Sequence, residues 1–364
     1  WRSPSQNFVY ADDRGDIGLV AAGDYPVLAG GTPWLPLPGT GEADIVGRIP
    51  FDAIPQAHNP ASHLLFSANQ RPVGPGYPWY LGTTLDFFDP GYRAGEIAGV
   101  LAHGQRLTAA DMRRLQQDVR DQLAVRVVPK LLQTLDRAAL PPRQQRMRAL
   151  LAAWDDQMTA DSPAAAVWRT FWEAYVDLTF EPWLRARKVP AEVERGTLLP
   201  SLVPVLESWT LRDPGNRSFW LPDGTRRTAP QVMTLAFAAA EATLARQLGP
   251  DPASWRWGRL HAMRIDSLAG IDSLADGPRP RGGDERTVDV AGGLLATEGP
   301  SWRFVMDWGS RQASAAYPGG QSENPASPWW ADRVAGWWDG RYAPMLTLDA
   351  ARRLPGSRTW TLAP

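Results

Sequence analysis

The chain contains no cysteine. Disulfides, thiolate nucleophiles and cysteine metal sites are therefore excluded, and an oxidising compartment is permitted without being required. Histidine is scarce. His58, His63, His103 and His261 are the four, none is spaced as a metal pair, and each reads as a structural or surface side chain. No apolar run approaches the length of a membrane-spanning helix; the longest candidate, near Thr234–Leu244, carries Glu241. The formal net charge is −1 and the basic residues are scattered, so there is no field for nucleic acid or an anionic membrane. A phosphate-binding glycine loop is missing, since Gly39-Thr40-Gly41 lacks both the lysine and the strand–helix context and reads as a turn. No Gly-x-Ser-x-Gly elbow occurs. By motif alone, the chain has no self-contained catalytic set.

What is present suggests a large mixed fold. The 364 residues are enough to bury a sizeable core. Eighteen tryptophans are unusual for this length, and several are grouped: Trp255 with Trp257, Trp329-Trp330 and Trp337-Trp338. Two readings stand, a tryptophan-heavy core with its interfaces or an aromatic ligand cleft. Residues 7–22 predict a hairpin, with strands at Phe8-Val9-Tyr10 and Ile17–Val20 and a turn at Asp12–Asp16 in which Gly15 supplies positive φ. The three aspartates there suit a solvated turn or a bound cation. Residues 23–62 read as an ordered Pro/Gly-rich excursion.

From Tyr92 the pattern turns helical. Thr108 followed by Asp111 resembles a capping box, and Leu115, Val119 and Leu123 repeat at four-residue intervals. Pro129 is expected to kink or end that helix. Further helices are expected at 142–160, 163–180 and 230–248, the last closed by Gly249-Pro250. Strands are expected at 255–265, 286–297 and 300–308, and in the terminal "RTWTLAP". Strands, a helical block and strands again make an α+β fold with a helical insertion rather than alternating βαβ units. The expected divisions are 1–100, 101–250 and 251–364. Trp1 is neither an initiator Met nor the start of a signal peptide, and the chain reads as the interior of a longer polypeptide.

One stretch stands apart. The apolar Leu64-Leu65-Phe66 reads as a strand that runs into Ser67-Ala68-Asn69-Gln70-Arg71-Pro72. It thus delivers a carboxamide at its tip and stops at a proline. On the residues alone, Asn69 is a turn-forming side chain.

Six blocks in order resemble the penicillin acylase (penicillin amidase) family of N-terminal-nucleophile hydrolases. They are residues 5–27, residues 35–72 ending in "FSANQRP", residues 77–97 containing "DPGYR", "WRWGRLHAMR" at 255–264, "GPSWRFVMDWGS" at 299–310 and "GGQSENPASPWW" at 319–330. The helical middle is only loosely similar. The resemblance implies part of a four-layer αββα sandwich and a precursor that cleaves itself to expose an N-terminal Ser, less often Thr or Cys. That residue attacks an amide carbonyl with its own α-amino group as general base, and the acyl-enzyme is then hydrolysed. It further implies that Asn69 donates its side-chain N–H to the oxyanion, a role suited to a neutral, short, two-proton donor. Arg93 matches a family arginine near the active site. It either orients Asn69, the nucleophile's surroundings or a substrate carboxylate, or forms an ordinary ion pair. Pro33 matches a position whose carbonyl binds Ca²⁺ in some members, although the expected carboxylate is replaced by Trp79-Tyr80-Leu81.

On that pattern the chain is the C-terminal part of the large β subunit. Its expected partners are an acyl-amide substrate, the small α subunit and the first part of β. No cofactor is expected for catalysis, and residues 1–364 alone are expected to be inactive. The expected full-length function is hydrolysis of an N-acylated small molecule such as a β-lactam side chain or an acyl homoserine lactone. The alternative is a non-catalytic ligand-binding module, for example for a glycan, on the same scaffold. A periplasmic or secreted location follows from the resemblance only. Gln321 and Ser322 read as tight-turn residues or part of a cleft rim.

Overall fold

The computed structural model describes residues 1–82, 88–104, 106–193, 199–267 and 269–361. The expected hairpin forms. Strand β1 (Gln6–Ala11) pairs antiparallel with β2 (Ile17–Ala22), Gln6 opposite Ala22 and Ala11 opposite Ile17. Asp12 builds the turn: its carboxylate accepts from the backbone N–H groups of Arg14 and Asp16 and from the Tyr10 hydroxyl. That accounts for the acidic turn without a cation. β5 (Gln56–His58) adds to the other edge of β2, which leaves β1 as the sheet's open edge, with Phe8, Val9 and Tyr10 exposed. β3 (Pro26–Leu28) and β4 (Ile45–Arg48) form a separate ribbon.

The helical block follows. α1 spans Tyr92–His103 and α2 Ala109–Leu115, the latter closed by the expected capping box between Thr108 and Asp111. The chain breaks before α3 (Gln122–Leu135), so Val119 lies outside both helices. Within α3, Leu123, Val127, Leu131 and Leu135 recur every fourth residue and are buried. Pro129 was expected to kink or end a helix, yet α3 runs through it to Leu135. It sits on the exposed face, and the buried side chains on either side outweigh a penalty of about 3 kcal/mol. α4 (Pro142–Ala152) is followed by the 24-residue α5 (Pro163–Ala186). Single turns α6 (Ala191–Val193) and α7 (Leu199–Ser201), then α8 (Val203–Arg212) and α9 (Ala229–Leu248), complete the block. α9 starts at a Thr228/Gln231 capping box and stops at Gly249, whose φ of 97° closes the end.

Helices α5 and α9 pack together. α5 contributes Trp168, Phe171, Trp172 and Tyr175, spaced for one face, and α9 meets them with Ala236, Phe237 and Ala240. Phe171 stacks on Tyr175 and meets Phe237 edge to face. Trp255 and Trp257 close the same core, so these tryptophans are structural.

The C-terminal part returns to strands: β6 (Ala262–Ile265), β7 (Asp276–Pro280) and β8 (Leu295–Ala296) form one sheet, while β9 (Arg303–Asp307), β10 (Gln312–Ala316) and β11 (Ala343–Met345) form another. The short helices α10 (Val334–Trp338) and α11 (Leu348–Arg352) flank β11. The expected strand at 255–265 is thus halved. Residues before β6 are 3₁₀ turns in which Trp257 stacks on the buried His261, the ring centroids 4.7 Å apart. The expected strand at 286–297 shrinks to β8, because residues 284–289 are drawn into an ion cluster instead. Of "RTWTLAP", residues 358–361 form no strand and 362–364 lie outside the described residues. The whole is α+β, as expected.

That ion cluster joins the helical block to the C-terminal part. Asp121, fully buried, caps α3 at Leu123 and Ala124, accepts from Trp168 of α5 at 2.8 Å, and pairs with Arg286 at 3.2 Å. Arg286 also pairs with Asp284 at 2.5 Å and Glu285 at 2.6 Å, and Arg169 of α5 takes Glu285 at 2.5 Å. Three carboxylates therefore share two guanidiniums. Burial pushes the Asp284 carboxyl, ordinarily near 3.8, up to about 7, with Arg286 opposing that rise and the neighbouring acids adding to it. Burial would also raise Glu285, but Arg169 and Arg286 hold it below the usual carboxylate range.

Two outcomes are expected. Asp121→Ala leaves the buried Arg286 Nε and the Trp168 indole N–H without their acceptor, and should cost about 3–5 kcal/mol, read from the midpoint of urea unfolding. Asp284 has a folded value above its unfolded one. Its contribution is therefore complete below about pH 4 and is lost as pH rises through about 7. Asp284→Asn, which mimics the protonated acid, should flatten the fall in melting temperature across that window. Parallel pH profiles for the two proteins would show that Asp284 carries no such linkage.

Candidate active site

The residues brought together around Asn69 come from three places: the β1–β2 hairpin, the segment after His63, and the root of α1. A cavity of about 410 Å³ opens between them, lined by Ser5, Asn7, Tyr25, Ser67, Asn69 and Phe88 among others. Asn7 Nδ2 donates to Ser67 Oγ at 2.9 Å and so ties β1 to the segment that carries Asn69. Burial raises the Tyr25 phenol, whose hydroxyl donates to the Ala21 carbonyl at 2.9 Å.

The stretch before Asn69 is not a strand, as the apolar run suggested. Among the described residues, 63–69 make no ladder, and the chain is paired only by a single parallel bridge between Gln70 and Asp89. His63 and Asn69 both take left-handed backbone, with φ of 55° and 63°. A residue at that φ breaks the period-two pleat, so the apolar pattern cannot continue as a sheet element. Asn is among the few non-glycine residues that adopt this conformation at low cost. Its side chain is exposed to the cavity side of the molecule rather than sealed in a core.

Arg93 is the second residue of α1, and its Nη2 donates to Asn69 Oδ1 at 3.0 Å. This contact fixes the amide's orientation. A guanidinium has only N–H groups to offer, so it must face the carboxamide oxygen. The Nδ2 group, with two N–H bonds, is thereby turned away from Arg93, and no described residue accepts from it. Two of the expected site residues are therefore in direct contact, and Arg93 forms an ion pair with Asp89 as well.

The residue that sequence reasoning missed is Asp89. Its Oδ2 accepts from Arg93 Nε at 3.2 Å and Nη2 at 3.0 Å, its Oδ1 accepts from Gly91 N–H at 2.8 Å, and its own N–H donates to the Asn69 carbonyl at 2.9 Å. The signal was present in Asp89-Pro90-Gly91-Tyr92-Arg93: an aspartate that turns the chain at a helix start and sits four residues before an arginine.

The other candidates lie elsewhere in the fold. Pro33 sits in a turn closed by Leu35 N–H on the Thr32 carbonyl. It offers one carbonyl, and among the described residues no group of three or more His, Asp or Glu gathers that could hold a metal ion, so these residues do not make a cation cage. Gln321 donates to the Tyr317 hydroxyl and Ser322 N–H to the Trp329 carbonyl, both within one turn-rich segment. His261 is buried with its ring nitrogens on the Arg281 and Ala291 carbonyls, and burial lowers its pKa. The lining of the Asn69 cavity includes three hydroxyls, those of Ser5, Ser67 and Tyr25, but no His, Lys, Asp or Glu among the described residues. Its described lining offers hydrogen-bond donors and no base for either serine. Residues 83–87, inside the block at 77–97, lie outside the described residues.

Comparison with known proteins bears on this geometry. The family model described as penicillin amidase matches residues 1–353. The chain is 30% identical to the acyl-homoserine lactone acylase QuiP of Pseudomonas aeruginosa, over all of this chain and 47% of that protein. It is 29% identical to the penicillin acylase 2 proenzyme of Pseudomonas sp. (strain SE83), over 95% of this chain and 44% of that protein. It thus spans about half the length of these relatives. A solved structure of a thermostable penicillin G acylase from Alcaligenes faecalis superposes with a TM-score of 0.69 at 20% identity, covering 99% of this chain and 68% of that one.

The left-handed backbone at Asn69 gives a stability test separate from any activity. Asn69→Gly should leave stability within about 0.5 kcal/mol, whereas Asn69→Ala should lose about 1–2 kcal/mol against the glycine variant, as measured by thermal unfolding. Equal melting temperatures for the two would show that the left-handed geometry is not held.

Proposed function

The chain belongs to the penicillin amidase family, and from that premise we propose that it is part of an amidohydrolase whose oxyanion donor is Asn69. The observation that carries this is the bond from Arg93 to Asn69 Oδ1, which leaves Nδ2 as a free double donor at the edge of the cavity. The reaction assigned is attack on the carbonyl of an N-acylated small molecule. The nucleophile is an N-terminal Ser, Thr or Cys outside this chain, with its own α-amino group taking the proton. As the carbonyl carbon becomes tetrahedral, negative charge gathers on its oxygen. Asn69 Nδ2–H meets that charge with a dipole already in place, so no reorganisation accompanies the step. Arg93 acts on the other end of the same amide and holds it. Collapse of the intermediate expels the amine, and water then attacks the acyl-enzyme through a second oxyanion at the same donor.

The substrate class extends to acyl homoserine lactones and to the acyl side chain of β-lactams, a reading supported by relatives named acyl-homoserine lactone acylase and penicillin acylase. The same reading includes the α subunit and the start of β as partners, export to the periplasm, and a Ca²⁺ contact at the Pro33 carbonyl. No catalytic step runs through that ion.

Two measurements test it. Intact mass and N-terminal sequencing of the full-length gene product should give two chains, the larger beginning with Ser, Thr or Cys and containing residues 1–364. In that processed protein, Asn69→Gly keeps the backbone conformation and deletes the donor, and kcat should fall by about 10²–10³. A single uncleaved chain, or a processed protein indifferent to Asn69→Gly, would favour the ligand-binding scaffold instead.

A further inference from the structure

We propose that Asp89 is a positioning residue for the Asn69 donor, governing both its backbone and its side chain; this rests on the oxyanion reading above. A carboxamide on left-handed, exposed backbone has little to hold it. Its terminal torsion is broad, and rotation by a few tens of degrees would take Nδ2–H off the line of an oxyanion. Asp89 removes that freedom along two routes. Its N–H fixes the Asn69 carbonyl at 2.9 Å, beside the single bridge that pairs Gln70 with Asp89. Its carboxylate holds two nitrogens of Arg93 from one side, at 3.2 and 3.0 Å, so that Nη2 reaches Asn69 Oδ1 at 3.0 Å.

Asp89 is itself immobilised. Gly91 N–H binds the other carboxylate oxygen at 2.8 Å, Pro90 fixes its own φ, and Gly91 at φ 94° folds the chain so that residues 89 and 93 face each other. Both partners of the ion pair are largely shielded, with side-chain exposures of 19% for Arg93 and 13% for Asp89. Arg93 without Asp89 would keep its charge but not its place. Displacement of a catalytic group by about 1 Å can cost about 10²-fold in rate.

The test uses the autoprocessed full-length protein and the p-nitroanilide that it turns over fastest. Asp89→Asn should lower kcat by about 10- to 100-fold with KM changed by no more than about twofold. On an Asn69→Gly background, the same substitution should add no further loss beyond about twofold, because Asp89 acts only through Asn69. A merely structural aspartate would multiply its penalty onto that background. Should Asp89→Asn fail to accumulate, Arg93→Lys replaces it. A lysine ammonium keeps the charge but lacks the rigid fork that grips Asp89 through two nitrogens and aims one of them at Asn69 Oδ1, so kcat should again fall by about 10-fold or more. Unchanged kcat in Asp89→Asn or Arg93→Lys, or independent losses in the double variant, overturns the inference while Asn69→Gly remains impaired. Full activity in Asn69→Gly itself would remove the oxyanion reading, and this inference with it.

Discussion

The contact between Arg93 and Asn69 depends on how Tyr92 is held. Its ring is buried in the helical core, its hydroxyl donates to Glu207 of α8 at 2.8 Å, and Arg126 of α3 lies over its ring while pairing with the same Glu207. Burial and the adjacent Glu207 carboxylate together raise the phenol far above its ordinary range, so it stays a donor. The next residue is Arg93. The root of α1 is thus bolted into a close-packed block by one residue and presents a guanidinium to Asn69 with the following one. The rigidity of the Arg93–Asn69 contact is borrowed from a core made of α3, α5, α8 and α9, rather than from the loop on which Asn69 sits.

That core is in turn fastened to the C-terminal part by charge. The Asp121 cluster collects α3, α5 and residues 284–286, and farther along Asp289 takes both Arg281 and Arg303. These guanidiniums lie over Trp337 at 5.1 and 4.9 Å, so the paired tryptophans near the C-terminus serve as aromatic floors for arginines. A guanidinium can bind a carboxylate in its plane and an aromatic face above it at once, which an ammonium does less well.

Much of the local structure was legible in the residues. The Asp12–Asp16 turn, the Thr108 cap and the Gly249 stop are each decided within four residues of chain, and each appears where its chemistry placed it. The α+β class was legible too, whereas for Arg93 the family resemblance offered contact with Asn69 as one of several alternatives, among them an ion pair, and the structure holds both contacts. What failed was decided by distant neighbours. Leu64–Phe66 has strand composition but no partner strand among the described residues, and Val119 has helical spacing but falls where the chain turns to let Met158 N–H reach its carbonyl. Pro129 was overruled by the packing of its buried neighbours. Arg286 was read as the start of a strand and sits instead, beside Asp284 and Glu285, in an ion cluster whose other members lie over a hundred residues away. Asp89 was overlooked because its role exists only once Asn69, 20 residues earlier, has folded against it.

The left-handed turn at residue 69 narrows what the position can hold. Conformation admits Gly, Asn and Asp most readily. Chemistry, if an anion is to be met there, requires an N–H donor and forbids a negative charge, which removes Gly and Asp. The two filters overlap on asparagine. In a saturation library selected only for folding, residue 69 would tolerate several small or polar side chains. In one selected for turnover it would contract to a single letter, while the apolar residues that precede it continued to vary among themselves.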